Sequence, residues 1–104
     1  MNILYIDTAS NEEVIIKLKI DKKEYKEKRK INFNRAEVVL PMIESILRKH
    51  KLSLNDLNSI QVNAGPGSFT GIRVGVSIAN ALGFALKIPV NNKKVGELVE
   101  ALYD

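Results

Sequence analysis

Three glycines and a proline fall within seven residues at Gly65-Pro66-Gly67-Ser68-Phe69-Thr70-Gly71, and an acid, Asp7, closes the apolar run Ile3-Leu4-Tyr5-Ile6 near the N-terminus. The chemistry these residues could do is anion binding. A glycine-rich turn that opens a helix offers free amides and the positive end of the helix dipole to phosphate. On that reading Asp7, Thr8, Gly65, Gly67, Ser68 and Thr70 contact a nucleotide, with weakly held ATP or ADP and Mg²⁺ at an interface shared with a second protein. The plainer reading is a structural tight turn that requires no cofactor. Its spacing, G-x-G-x-x-x-G, is neither the dinucleotide fingerprint G-x-G-x-x-G nor a Walker loop, which ends in Gly-Lys-Ser/Thr.

Other chemistries lack their residues. The chain has no cysteine and one histidine, His50, so it offers no thiol nucleophile, disulfide framework or Ser-His-Asp set. A two-metal nuclease needs several converging carboxylates, whereas Asp7 stands alone and the later strand ends in Asn63-Ala64. An actin-like ATPase needs a glycine-bearing turn after its first strand, where this chain reads Asp7-Thr8-Ala9-Ser10. No metal site and no catalytic set are expected.

These groups are positioned by strands and helices that the patterning marks out. Residues 2–8 are a nearly continuous apolar run, as a central strand buried on both faces requires. Residues 14–20 alternate, with Ile16, Leu18 and Ile20 against Lys17 and Lys19, and a polar turn at Asp21-Lys22-Lys23-Glu24 leads to a third strand over 25–33. Asn34 with Glu37 forms a capping-box pattern, opening a helix over 35–49. Ser53-Leu54-Asn55-Asp56-Leu57 reads as a capped turn, and 59–64 as a fourth strand. The helix after the glycine turn, 71–86, is capped by Ser68 or Thr70. A short fifth strand at Ile88-Pro89-Val90 and an amphipathic helix carrying Val95, Leu98, Val99 and Leu102 complete the order β-β-β-α-β-α-β-α.

That order predicts one α/β domain over residues 1–104, with a ribonuclease H-like arrangement and a five-stranded mixed sheet. It also sets Asp7 beside the Gly65 turn, since the first and fourth strands become neighbours.

Two helical features point outward. Gly71, Gly75, Ala79 and Gly83 recur every four residues, a stripe of small side chains that either lies tightly on its own sheet or receives a partner helix. In the first helix, Val38, Met42 and Ser45 make a second stripe beside Val39, Ile43, Ile46 and Leu47, wider than one sheet contact needs. The candidate partner interface is therefore Arg35, Val38, Met42, Ser45, Gly71, Ile72, Gly75, Ala79 and Gly83.

Composition is that of an ordinary globular chain, with 45% hydrophobic and 27% charged residues and a net charge of +4. The positive charge concentrates in residues 17–30, where eight Lys or Arg face three acids. Such a hairpin either presents a solvated face or tracks a phosphate backbone. No secretory leader is visible, and the apolar window at 74–86 is short and interrupted by Ser77, Asn80 and Gly83, so a cytoplasmic protein without a membrane span is expected.

Ile6-Asp7-Thr8-Ala9, Leu40-Pro41-Met42-Ile43 and Gly65-Pro66-Gly67-Ser68-Phe69-Thr70-Gly71-Ile72-Arg73-Val74-Gly75 stand in the order and spacing of a known family. Over nearly its whole length the chain resembles the N-terminal lobe of the TsaB (YeaZ) family, accessory subunits of bacterial threonylcarbamoyladenosine tRNA modification. The resemblance implies a non-catalytic subunit that pairs through its first two helices with the catalytic paralogue TsaD, joined by the ATPase TsaE. It also implies a lobe of the actin-like ATPase superfamily and indirect contact with tRNA. Without a partner, the same apolar helix surface is expected to pair with a second copy as a homodimer. The metal-binding His-x-x-x-His of the paralogue has no counterpart in Val90-Asn91-Asn92-Lys93-Lys94. The sequence departs from the family pattern in two ways: the family normally has a second lobe of comparable size, which is not seen here, and it often has a histidine where this chain has Asn34-Arg35.

Overall fold

Alternate residues of an extended strand face opposite ways, so Leu4 and Ile6 share one side, and both are almost wholly removed from solvent. They begin a core that the rest of the chain closes over. The computed structural model describes residues 1–31 and 35–102. It contains β1 (Asn2–Asp7), β2 (Glu13–Ile20), β3 (Lys23–Lys30), α1 (Arg35–Lys49), a 3₁₀ turn (Leu54–Asp56), β4 (Ser59–Val62) and α2 (Phe69–Leu86). The sheet order is β3-β2-β1-β4. β1 pairs antiparallel with β2, β2 antiparallel with β3, and β1 parallel with β4. The sheet is therefore mixed, in an α/β fold.

Both helices close one face of this sheet. Val14, Ile16 and Leu18 of β2 and Ile60 of β4 point the same way as Leu4, and with Val39, Ile43, Ile46 and Leu47 of α1 and Ile72, Val76 and Ala79 of α2 they form one buried cluster. α1 runs unbroken through the exposed Pro41. The sequence's second stripe on α1 does not reach a second surface: Val38 and Met42 are buried in the same core. The capping pattern at Asn34 and the end of the third strand at Phe33 lie outside the described residues. The Ser53 turn is capped as expected, the Asp56 carboxylate accepting from the Ser53 amide at 2.8 Å.

Two expected elements differ. Among the described residues the sheet has four strands, not five. Residues 88–90 reach it only through an isolated parallel bridge between Ile60 and Val90, the Ile60 amide donating to the Pro89 carbonyl and the Asn91 amide to the Ile60 carbonyl. The ladder stops there because Asn91 and Asn92 turn into the left-handed region, at φ 51° and 61°. The Asn91 side chain takes the place of the next strand residue, accepting from the Val62 amide at 2.7 Å and donating to its carbonyl at 3.0 Å.

The helix expected around 95–102 is likewise absent from the described residues. Gly96, at φ 89°, breaks it. Asn80 of α2 captures the Val99 backbone instead, donating to its carbonyl at 3.0 Å and accepting from its amide at 2.9 Å. Those two backbone groups can no longer close helical turns. The described order is thus β-β-β-α-β-α.

α2, with 18 residues and mean hydropathy 1.4, is long and apolar enough to cross a membrane by length and composition. Its buried residues lie against the sheet, as in a core helix of a globular domain.

Candidate functional site

The parallel pairing of β1 with β4 brings the end of β1 against the glycine turn, as the sequence predicts. Asn63 donates to the Asp7 carboxylate at 3.2 Å, and the same oxygen accepts from the Ala9 amide at 3.0 Å. The Asn63 side chain also accepts from the Gly65 amide at 3.0 Å. Ser68 donates its amide to the Ala9 carbonyl at 2.9 Å, and its hydroxyl accepts from the Gly71 amide at 3.3 Å, so Ser68 and not Thr70 caps α2. Gly65 occupies φ 116°, where a side chain would be strained. Gly67 leaves room for Ala9, whose side chain a β-carbon there would strike.

This junction uses its own donors. The amides of Gly65, Ser68, Gly71 and Ile72 all bond within the chain, and the hydroxyl of the fully buried Thr8 donates to the Gly71 carbonyl. Asp7 and the glycine turn do come together, joined by these bonds. Among the described residues no group of three or more His, Cys, Asp or Glu is placed to hold a metal ion.

The small-residue stripe turns inward. A β-carbon on Gly71 would overlap the Thr8 carbonyl, one on Gly75 the Thr8 hydroxyl, and one on Gly83 the Val90 side chain. Ala79 and Ile72 are fully buried. Gly71, Ile72, Gly75, Ala79 and Gly83, with Val38 and Met42, therefore contact the chain's own core, which corrects their assignment to a partner surface. Of the residues expected there, Arg35 and Ser45 are half-buried and reach the outside. Arg35 donates to the Ser10 carbonyl at 2.9 Å and lies against Gly71, while its buried Nε has no hydrogen-bond partner among the described residues.

The outward surface of the helix pair is a different set. Ala36 of α1 and Phe69, Arg73, Val74, Ser77 and Ile78 of α2 line an open groove of about 370 Å³. Phe69 is 56% exposed at its end, with the Arg73 guanidinium 5.3 Å from its ring centre. Leu40, one turn along α1 from Ala36, is 47% exposed. Sequence reasoning missed this groove because it followed the small residues, whereas the exposed apolar ones lie on the opposite side of α2. The signal available was the spacing of Phe69, Arg73 and Ser77, one helical turn apart. His50 is no ligand in this arrangement. Its ring packs on Tyr25, the centroids 3.9 Å apart and the planes tilted by 40°, with Nδ1 2.9 Å from the Ile46 carbonyl.

Residues 29–92 match the family model described as "TsaD: tRNA N6-adenosine threonylcarbamoyltransferase". The chain belongs to the TsaD family. Within the TsaD family its likeness is to proteins named TsaB or YeaZ. It is 48% identical over 52 residues to the tRNA threonylcarbamoyladenosine biosynthesis protein TsaB of Buchnera aphidicola subsp. Schizaphis graminum, covering 50% of this chain and 25% of that protein. It is 34% identical over 91 residues to TsaB of Bacillus subtilis, covering 88% of this chain and 40% of that protein. The solved structure of YeaZ from Pseudomonas aeruginosa superposes with a TM-score of 0.82 at 28% identity, covering 89% of this chain and 43% of that one. The chain thus spans between a quarter and two-fifths of these two curated relatives.

Proposed function

We propose that the chain is a non-catalytic partner subunit in threonylcarbamoyladenosine biosynthesis, supporting transfer to adenosine 37 of tRNA by docking a TsaD-like catalytic paralogue. The docking surface is the outer groove of α1 and α2, lined by Ala36, Phe69, Val74 and Ile78, with the exposed Leu40 one turn along α1 from Ala36. The observation that carries the reading is this groove: Phe69 and Leu40 stand open to solvent on the helix pair, beside the half-buried Val74 and Ile78. Contiguous exposed apolar surface on a helix pair marks an interaction site.

On this reading a TsaE-like ATPase joins the assembly, the chain self-associates through the same groove when alone, and the protein works in the cytoplasm. It requires no cofactor. The names of its relatives, which specify tRNA threonylcarbamoyladenosine biosynthesis, support the pathway. Titration calorimetry of this chain into a TsaD protein from the same source tests it, with one-to-one saturable binding as the expected result. Absence of heat at concentrations of tens of micromolar, about the weak end of specific association, would sink it.

A further inference from the structure

One face of the sheet carries neither α1 nor α2. The register fixes what stands on it. Lys26, Lys17, Tyr5 and Gln61 form one row across β3, β2, β1 and β4. Lys28, Ile15 and Asp7 form the next, with Asn63 bonded to Asp7 at its end. Lys17 Nζ lies 5.6 Å from the centre of the Tyr5 ring. Beside it a concavity of about 290 Å³ is lined by Tyr5, Asp7, Ile15, Lys17, Gln61 and Asn63.

The charge on this face is unbalanced. Lys17 and Lys26 are direct cross-strand partners, and like charges so placed repel and destabilise a sheet. Lys28 follows on the same face of β3. The ion pairs among the described residues are Met1–Asp21, Lys49–Glu27 and Lys93–Glu97, and none includes these three lysines. The acids of the face stand around the block rather than within it. Glu13 is opposite Lys30 and Glu24 opposite Lys19, while Asp7 accepts from Ala9 and Asn63.

We propose that this face binds single-stranded RNA, with Lys17, Lys26 and Lys28 on phosphates and a base stacked on Tyr5. An anionic partner relieves the repulsion between Lys17 and Lys26. An aromatic ring beside a basic track is the arrangement that holds single strands, the ring taking a base and the cations the backbone. Lys26 and Tyr5 stand two strand spacings apart, about 10 Å, so both engage neighbouring parts of one strand. The concavity is near the lower limit of small-ligand sites, about 300 Å³, which suits one base and not a flat bilayer. The choice of RNA among polyanions rests on the function proposed above; the charge geometry does not. It makes contact with tRNA direct, where the family resemblance implied indirect contact, and it takes up the phosphate-tracking reading of residues 17–30.

Fluorescence anisotropy of the chain with a labelled oligouridylate of about ten nucleotides, within the usual single-strand site size, tests this across a salt series. Three phosphate contacts give a slope of log affinity against log salt of about −2. Lys17→Gln/Lys26→Gln/Lys28→Gln is expected to abolish most of that slope and to lower low-salt affinity about tenfold, three lost contacts being worth about that or more. Tyr5→Leu is expected to weaken binding with the slope unchanged. Thermal melting shows whether the variants fold, and Lys26→Gln/Lys28→Gln, on the exposed edge strand, serves if the triple variant does not. A flat salt profile, parental binding by folded lysine variants, or tighter binding to phosphatidylserine vesicles than to the oligouridylate would overturn the inference. Loss of RNA binding with an intact TsaD complex overturns this inference alone; RNA binding without that complex overturns the docking reading alone.

Discussion

Gly75 and Thr8 meet where α2 crosses the end of β1, and no β-carbon fits on Gly75 without striking the Thr8 hydroxyl. The same threonine donates to the Gly71 carbonyl one turn earlier in the helix. Glycine inside a helix costs roughly 1 kcal/mol relative to alanine. Here the loss is offset by the approach of α2 to Ile6 and Val62, whose side chains lie close below Gly75.

Gly75→Leu is therefore expected to destabilise the isolated chain, by at least the 1–3 kcal/mol typical of overpacking, about 4–8 °C in melting temperature per kcal/mol for a chain of this size. Thr8→Val keeps the volume but removes the donor to Gly71, and is expected to cost about 1 kcal/mol. Thermal denaturation followed by circular dichroism measures both. A Gly75→Leu variant that melts with the parent would mean that the stripe faces outward after all.

Asn80→Ala should release the segment after Val90 without unfolding the sheet. Two side chain to backbone bonds hold Val99 to α2, each worth about 1 kcal/mol net. Limited proteolysis is the direct assay: cleavage between Lys93 and Glu100 should quicken in the variant, while β1 to α2 stay intact on the gel.

The N-terminal ammonium donates to the Asp21 carboxylate at 2.6 Å, and this bond, with the charge attraction, holds the Asp21 carboxyl below its usual range. A carboxyl depressed in the folded state stabilises it above its unfolded pKa, about 3.9. That contribution is lost as the pH falls through the lower folded value. Asp21 sits at φ 54°, a region asparagine tolerates, so Asp21→Asn isolates the charge. The parent should melt slightly above the variant at pH 6 in low salt, and the gap should narrow as the pH falls below about 3.9 or as salt is raised, because the pair is exposed. A gap unchanged by pH would contradict the assignment.

Much of this fold was legible in the sequence because the local and long-range signals agreed. The alternation in residues 14–20, the capped turn at Ser53 and the glycine turn after Val62 each specify one structure. The adjacency of Asp7 and the Gly65 turn followed from strand order alone. What misled was periodicity without its competitors. Val95, Leu98, Val99 and Leu102 have helical spacing, yet Gly96 and the reach of Asn80 decide the backbone there. For the fifth strand, Asn91 ends the ladder with its own side chain.

The stripe of small residues was correctly seen as a close-packing surface, but sequence spacing does not say which neighbour fills it. Thr8, Arg35 and Val90 supply that answer. The exposed groove on the other side of α2 was then hidden by its ordinary composition.

Light scattering of the chain mixed with a TsaD protein from the same source, repeated with Ser77→Arg, tests the central claim most directly. Ser77 is exposed on α2 and lines the groove, so arginine there obstructs a partner while sparing the core. The expected result is a one-to-one mass with the parent and separate masses with Ser77→Arg, both proteins melting alike. A complex that forms equally well with Ser77→Arg would place the partner elsewhere, and no complex with the parent would remove the docking role.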